Sequence, residues 1–299
     1  RDLHYPLRRQ RQMCIRDRVS NSFSVSPASG FGGNVTGIDL SRASEDDISC
    51  LKDVFAEVGV LFFHNQALTP SQHIEFAERW GTINVNRFFT PVPDYPKIAE
   101  VRKEPDQRVN IGGGWHTDHS YDDIPALGSM LLAKEWPSVG GDTLFASTVL
   151  AYEGLSDAMK ETLECLKAVH SSRHVFGKRP EMPEEMASRL GNQQAATQDA
   201  IHPVVIEHPL SGKKSLYVNP GFTRQFEGWT VEESEPLLWF LYAHITRPEY
   251  TYRHRWENGS MAFWDNRATW HFAINDYHGK KRLMHRITLD GEALQAAVG

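Results

Sequence analysis

Apolar residues recur at helical spacing in a few stretches of this chain and elsewhere fall into short runs between turns. Ile48, Leu51, Val54, Phe55 and Val58 share one stripe, which predicts a helix over 45–57, capped by Ser44 and stopped by Gly59. A buried strand is expected at 60–63, and residues 34–40 read as a strand running into a turn. Thr69, Pro70 and Gln72 then supply a hydroxyl cap, a proline at the first helical position and a capping box. The helix they start carries Ile74, Phe76, Ala77 and Trp80 and is expected to stop at Gly81. Beyond this point strands are predicted at 98–101, 128–134, 143–146, 168–174, 204–208, 214–218, 251–255, 260–265 and 283–289. Helices interrupt them at 147–153, 156–165 and 230–244, the last opened by Thr230 and Glu233 as a second capping box. Many short strands and few helices predict a mainly β fold with flanking helices, built on a double-stranded β-helix, or jelly-roll, core.

Composition narrows the partners. The chain has 299 residues, 40% of them apolar, with eight Trp and fifteen Phe to fill an interior. It holds no apolar run long enough to span a bilayer, so no membrane partner is expected. The first eighteen residues hold six Arg and two Asp and look foreign to the rest. They lack the apolar core of a secretory signal, and the string QMCIRDR resembles translated sequencing-adapter sequence, so 1–18 is read as a non-native leader. Residues 19–299 are then a single domain, whose charge, −6 less the leader's +4, is −10. An acidic body argues against a nucleic-acid partner. Cys14, Cys50 and Cys165 are odd in number and widely spaced, which suggests neither a disulfide framework nor a zinc site and fits a reducing, cytoplasmic compartment. Residues 179–200 are polar and carry Pro180 and Pro183; they read as an insertion, either an active-site lid or a solvated loop.

The sharpest local chemistry is Gly112-Gly113-Gly114-Trp115-His116-Thr117-Asp118-His119. Residues two apart in an extended segment point the same way, so His116 and Asp118 can present an imidazole and a carboxylate to one point. That is half of a 2-His-1-carboxylate facial triad, and alone it is weak in a chain with fourteen His. A third ligand is available at His271, in Trp264-Asp265-Asn266-Arg267-Ala268-Thr269-Trp270-His271. If the stretch Arg282-Leu283-Met284-His285-Arg286 is a strand, Arg282 and Arg286 share a face. Two guanidiniums turned inward are costly unless anions meet them.

These motifs, in this order, resemble the TauD/TfdA family of Fe(II)/2-oxoglutarate-dependent dioxygenases. The family's WHTD stands at Trp115 to Asp118, its GGDT-L at Gly140 to Leu144, its WDNR…H at Trp264 to His271, and its MHR at Met284 to Arg286. The likeness runs from about Gly37 to Gly291. It implies that His116, Asp118 and His271 ligate iron(II), with 2-oxoglutarate and O2 as co-substrates. By the same resemblance Arg282 and Thr143 hold 2-oxoglutarate, Arg286 grips a small anionic substrate, and Phe222 lines its pocket. The family also implies a homo-oligomer. Where taurine dioxygenase completes its pocket with a His, a Tyr and an Asn, this chain has Asn86, Phe89 and Gly112. The lost hydrogen-bond partners imply that taurine is a poor substrate. Related iron halogenases replace this carboxylate with a small residue, so the retained Asp118 implies hydroxylation or oxidative cleavage rather than halogenation.

Two other readings compete. A metal hydrolase would need a base such as that of HExxH, which the chain lacks, and would leave Arg282 without a role. A non-catalytic jelly-roll binding protein would have lost a ligand, and all three are present. His119 is expected beside the metal site. His170, His174, His202, His208 and His254 are read as surface or structural groups. Trp239, Phe240 and Tyr242 are expected to pack a helix on the sheet or to form a subunit contact.

Overall fold

A computed structural model describes residues 22–177 and 192–297. The leader 1–18 lies outside them, as does most of the 179–200 insertion. The described end of that insertion holds a short 3-10 turn at Gln193–Ala195 and the start of strand Asp199–Pro203.

The core is a jelly roll. Its large sheet runs, in spatial order, Ser24–Pro27, Gly33–Thr36, Val60–Phe63, Met261–Asp265, Gly128–Glu135, Arg282–Leu289, Tyr95–Lys103 and Pro91–Val92, with Ile83–Asn84 beside Arg282–Leu289. A small sheet of Thr251–His254, Thr143–Ser147 and Thr269–Ala273 forms the opposite wall. Period-two alternation sorts the large sheet's side chains. Leu61, Phe63, Met130, Leu132, Met261, Phe263, Ile287 and Leu289 turn outward and pack under helices Glu45–Val58 and Pro70–Glu78, against Leu51, Phe55 and Phe76. Val60, Phe62, Leu131, Ala133, Ala262, Trp264 and Met284 turn inward onto Phe145 of the small sheet. The functional cavity opens between the two walls.

The expected caps are present. Ser44 and Asp47, Thr69 and Gln72, and Thr230 and Glu233 each form a reciprocal box, and Gly59 ends its helix at φ 74°. The second helix ends at Glu78, short of the expected Gly81. The strand expected at 168–174 is observed as Lys167–Ser171 and then breaks. Ser172 takes a helical backbone and binds Gln198, and Arg173–Phe176 coils so that the Phe176 ring stacks on Phe88 at 4.4 Å. Tertiary stacking overrides the local alternation here. Strands Asp199–Pro203, Thr223–Phe226 and Thr269–Ala273 were not anticipated. On helix Val231–Ile245, Tyr242 packs on Trp270, whereas Trp239 and Phe240 face solvent. Among the described residues no helix is long and apolar enough to cross a membrane.

Candidate active site

The structure brings the two halves of the proposed triad together through a single antiparallel bridge. His116 N–H donates to the His271 carbonyl at 3.1 Å, and His271 N–H donates back to the His116 carbonyl at 2.8 Å. The reciprocal pair sets both imidazoles on one side, with ring centroids 4.1 Å apart. Asp118 follows two residues later. Its carboxylate oxygens lie 3.8 Å from His116 Nε2 and 3.9 Å from His271 Nε2. One ligating atom from each of the three falls within 4.8 Å of the others.

Their surroundings fit a divalent metal. His116 Nδ1 lies 2.8 Å from the Gly114 carbonyl, which can only accept, so the proton belongs on Nδ1 and the Nε2 lone pair faces the centre. Burial lowers the pKa of His116 and pushes that of His271 well below its ordinary value, so both imidazoles are neutral. Burial alone would raise Asp118, but its charged surroundings, Arg286 foremost, hold the carboxyl well below its usual range. Ser129 Oγ donates to Asp118 Oδ2 at 2.8 Å. Thr117 Oγ1 donates to the Asn266 carbonyl at 2.5 Å, and Asn266 Oδ1 accepts from Trp264 Nε1 at 2.9 Å, which pins the ligand segment to the 264–266 turn. Two neutral imidazoles and one carboxylate on a single face suit iron(II) and leave open positions opposite.

A cavity of about 350 Å³ adjoins this centre. Arg282 and Arg286 both enter it from strand Arg282–Leu289, on the shared face that the alternation predicts. Arg282 is 3% exposed, and its Nε and Nη2 are buried without a hydrogen-bond partner. Burial depresses its pKa. Its guanidinium lies 5.8 Å from the Trp256 ring, and Trp256 Nε1 donates to Thr143 Oγ1 at 3.0 Å, which leaves the Thr143 proton free for an acceptor. An anion is the partner that this end lacks.

Arg286 lies 3.3 Å from Asp118 Oδ1 and 4.7 Å above the Phe89 ring. Phe222, Tyr121 and Phe176 pack edge-on beside it in an apolar wall. Asn86 lines the cavity, but its Oδ1 already accepts from the Phe88 and Phe89 N–H groups at 2.9 Å, so it shapes the loop beneath Phe89. A side chain at Gly221 would come within 2.8 Å of the His116 Cβ, so the loop before Phe222 needs glycine to press on the metal ligand.

Every residue proposed from sequence therefore lines one cavity. Sequence reasoning missed Ser129, Trp256 and Asn266. Ser129 had a signal, since it is a polar residue at an inward position of a strand, and Asn266 sat unassigned inside a recognised motif. Trp256 had none. Of the histidines read as surface or structural, His170, His202, His208 and His254 are buried, with His208 on Asp265 at 3.0 Å and His254 stacked on Phe62 at 4.5 Å, and His174 is partly buried.

Comparisons with known proteins agree with this geometry. Residues 24–288 match the model of the family described as taurine catabolism dioxygenase TauD, TfdA family. The chain is 37% identical over 274 residues to the alkylsulfatase of Acinetobacter baylyi, across 90% of this chain and 84% of that protein. It is 32% identical over 274 residues to the alpha-ketoglutarate-dependent sulfate ester dioxygenase of Pseudomonas putida, across 90% of this chain and 89% of that one. A taurine dioxygenase structure from Burkholderia xenovorans superposes with a TM-score of 0.78 at 32% identity, over 92% of this chain and 91% of its own.

Proposed function

Because the chain belongs to the TauD/TfdA family of Fe(II)- and 2-oxoglutarate-dependent dioxygenases, we propose that its substrate is a small organic sulfate ester or sulfonate, oxidised at carbon. The observation that carries this is the pair of inward guanidiniums beside the His-Asp-His centre, one for each of two anions. The names of the alkylsulfatase and sulfate ester dioxygenase relatives support a sulfate ester first.

In this reading His116, Asp118 and His271 hold the iron. When bound, iron(II) with 2-oxoglutarate and O2 supplies the oxidising chemistry. The protein's residues bind, orient and dry the site. Arg282 offers its two free nitrogens, and Thr143 its hydroxyl, to the far carboxylate of 2-oxoglutarate. Arg286 turns from Asp118 toward the substrate anion, steadied by the Phe89 face. Phe222, Phe176 and Tyr121 cover the organic part and keep water from the reacting carbon. For a sulfate ester, the C–H next to the ester oxygen becomes C–OH. The carbon–oxygen bond to sulfate then breaks as the new hydroxyl loses its proton, giving an aldehyde and sulfate. 2-Oxoglutarate loses CO2 and takes the second oxygen atom to become succinate.

Anaerobic titration with iron(II) and 2-oxoglutarate tests the first half. A visible metal-to-ligand charge-transfer band is expected. Arg282→Ala should require roughly 30-fold more 2-oxoglutarate, the equivalent of about 2 kcal/mol for a hydrogen-bonded charge. A metal-loaded parent without the band would retire the reading. Succinate release then ranks substrates. With the Asn86 oxygen taken up by the backbone, Phe89 apolar and Gly112 bare, taurine is expected to trail hexyl sulfate by about 100-fold or more in kcat/KM. Comparable sulfite release from taurine would refute the preference for a sulfate ester.

A further inference from the structure

A second chain of polar groups reaches the cavity beside the metal centre. One Arg87 nitrogen, Nη2, holds both carboxylate oxygens of Asp122, at 2.6 and 2.9 Å. Asp122 Oδ2 lies 3.0 Å from Nδ1 of His119. His119 lines the cavity, is 3% exposed, and its Nε2 is buried with no partner. Its backbone sits at φ 58°, a region that L residues enter at a cost and that gathers at functional sites. That twist lets the Asp122 N–H close a turn onto the His119 carbonyl at 3.1 Å and carries the carboxylate to the ring. His202 Nε2 lies 3.0 Å from the Asp122 carbonyl and anchors the same turn. None of these hydrogen bonds is made to a metal ligand; His116 is oriented by Gly114 and Asp118 by Ser129.

We propose that His119 Nε2 is a hydrogen-bond acceptor for the substrate, and that the enzyme prefers anionic substrates bearing a hydroxyl group. This rests on the reading above that the cavity takes a small organic anion. A carboxylate only accepts, so the contact with Asp122 places a ring proton on Nδ1 and leaves Nε2 as the ring's acceptor position. Arg87 fixes the plane of the carboxylate that fixes the tautomer. A buried acceptor left unpaired is costly, and a substrate O–H recovers that cost. An ammonium does not serve as well. It brings three N–H donors to one acceptor and strands the others against Phe176 and Phe222. Arg286 and His119 thus give the pocket two poles, one for the anion and one for the hydroxyl.

The test compares hexyl sulfate with its monohydroxylated counterparts, the hydroxyl moved one carbon at a time. At least one isomer is expected to exceed hexyl sulfate roughly tenfold in kcat/KM, through KM, by succinate release corrected for uncoupled turnover. His119→Val, which removes the nitrogen, should flatten that preference. Asp122→Asn, which leaves the ring but frees its tautomer, should weaken it. The charge-transfer band of each variant reports whether the iron and 2-oxoglutarate site is intact. Where His119→Val loses the band, Asp122→Asn decides. A parent that favours plain hexyl sulfate over every isomer overturns the proposal, as does one that instead favours a second anionic group. A preference that survives both substitutions overturns it too. If the parent shows no band, the dioxygenase reading fails by itself, and calorimetric binding of the same sulfates still decides the hydroxyl preference.

Discussion

Replacing His271 with alanine is expected to abolish turnover and to weaken iron(II) binding by more than about 100-fold. Loss of a group that only orients a metal ligand commonly costs about 10–100-fold. His271 is itself a donor, one of three whose ligating atoms gather within 4.8 Å, so its loss must cost more. What remains is one imidazole and one carboxylate, and that carboxylate already answers to Arg286 at 3.3 Å. The fold should survive, because the bridge that seats His271 is made of backbone. The bonds of 3.1 and 2.8 Å to His116 do not use the imidazole. Anaerobic iron titration beside circular dichroism separates the two effects. A folded His271→Ala protein that still binds iron(II) like its parent would falsify the triad assignment.

The same bridge marks the limit of what the sequence discloses. The interior face of strand Arg282–Leu289 is legible, since alternation alone puts Arg282, Met284 and Arg286 together. The capping boxes are legible because their partners are three residues apart. The bridge between His116 and His271 joins segments far apart in the sequence, and no local pattern states that register. Ordered family motifs supplied the pairing instead. Strand Thr269–Ala273, which carries His271, was hidden because it is short and restarts after the tight polar turn Asp265-Asn266-Arg267. The groups that orient the ligands were harder still. The inward position of Ser129 on its strand is legible, but its partner Asp118 is shown only by the fold. The turn at Ser172 is set by Gln198 and by a stacked Phe88, both distant in sequence.

Asp265 shows how much of the site's integrity lies in residues the chemistry never touches. Asp265→Ala is expected to destabilise the protein by about 3–5 kcal/mol, because it strands a buried charge. Asp265 and Arg267 are both fully buried in the turn between strands Met261–Asp265 and Thr269–Ala273. Arg267 Nε and Nη2 donate to the two carboxylate oxygens at 2.9 and 2.8 Å, the Arg267 N–H adds a third bond at 2.9 Å, and His208 Nε2 meets Oδ2 at 3.0 Å. Removing the carboxylate leaves the guanidinium with Glu292 at 3.5 Å, and Glu292 is largely exposed. For a chain of this size the melting temperature should fall by on the order of 10 °C. The double variant Asp265→Ala/Arg267→Met should recover part of the loss, since the lone charge is then gone as well. The pH dependence has a definite sign. Burial raises the Asp265 pKa, but Arg267 and His208 outweigh it and hold the folded value below the unfolded one. The stabilisation is therefore complete above the unfolded value, near about 4, and drains away as the pH falls below it. Scanning calorimetry between neutral and acid pH should show the parent converging on Asp265→Ala at the acid end. A constant gap would mean that the carboxylate is not what holds the turn. The consequence reaches the metal, since this turn starts the strand that carries His271. Loosening it should weaken iron(II) binding without touching a ligand.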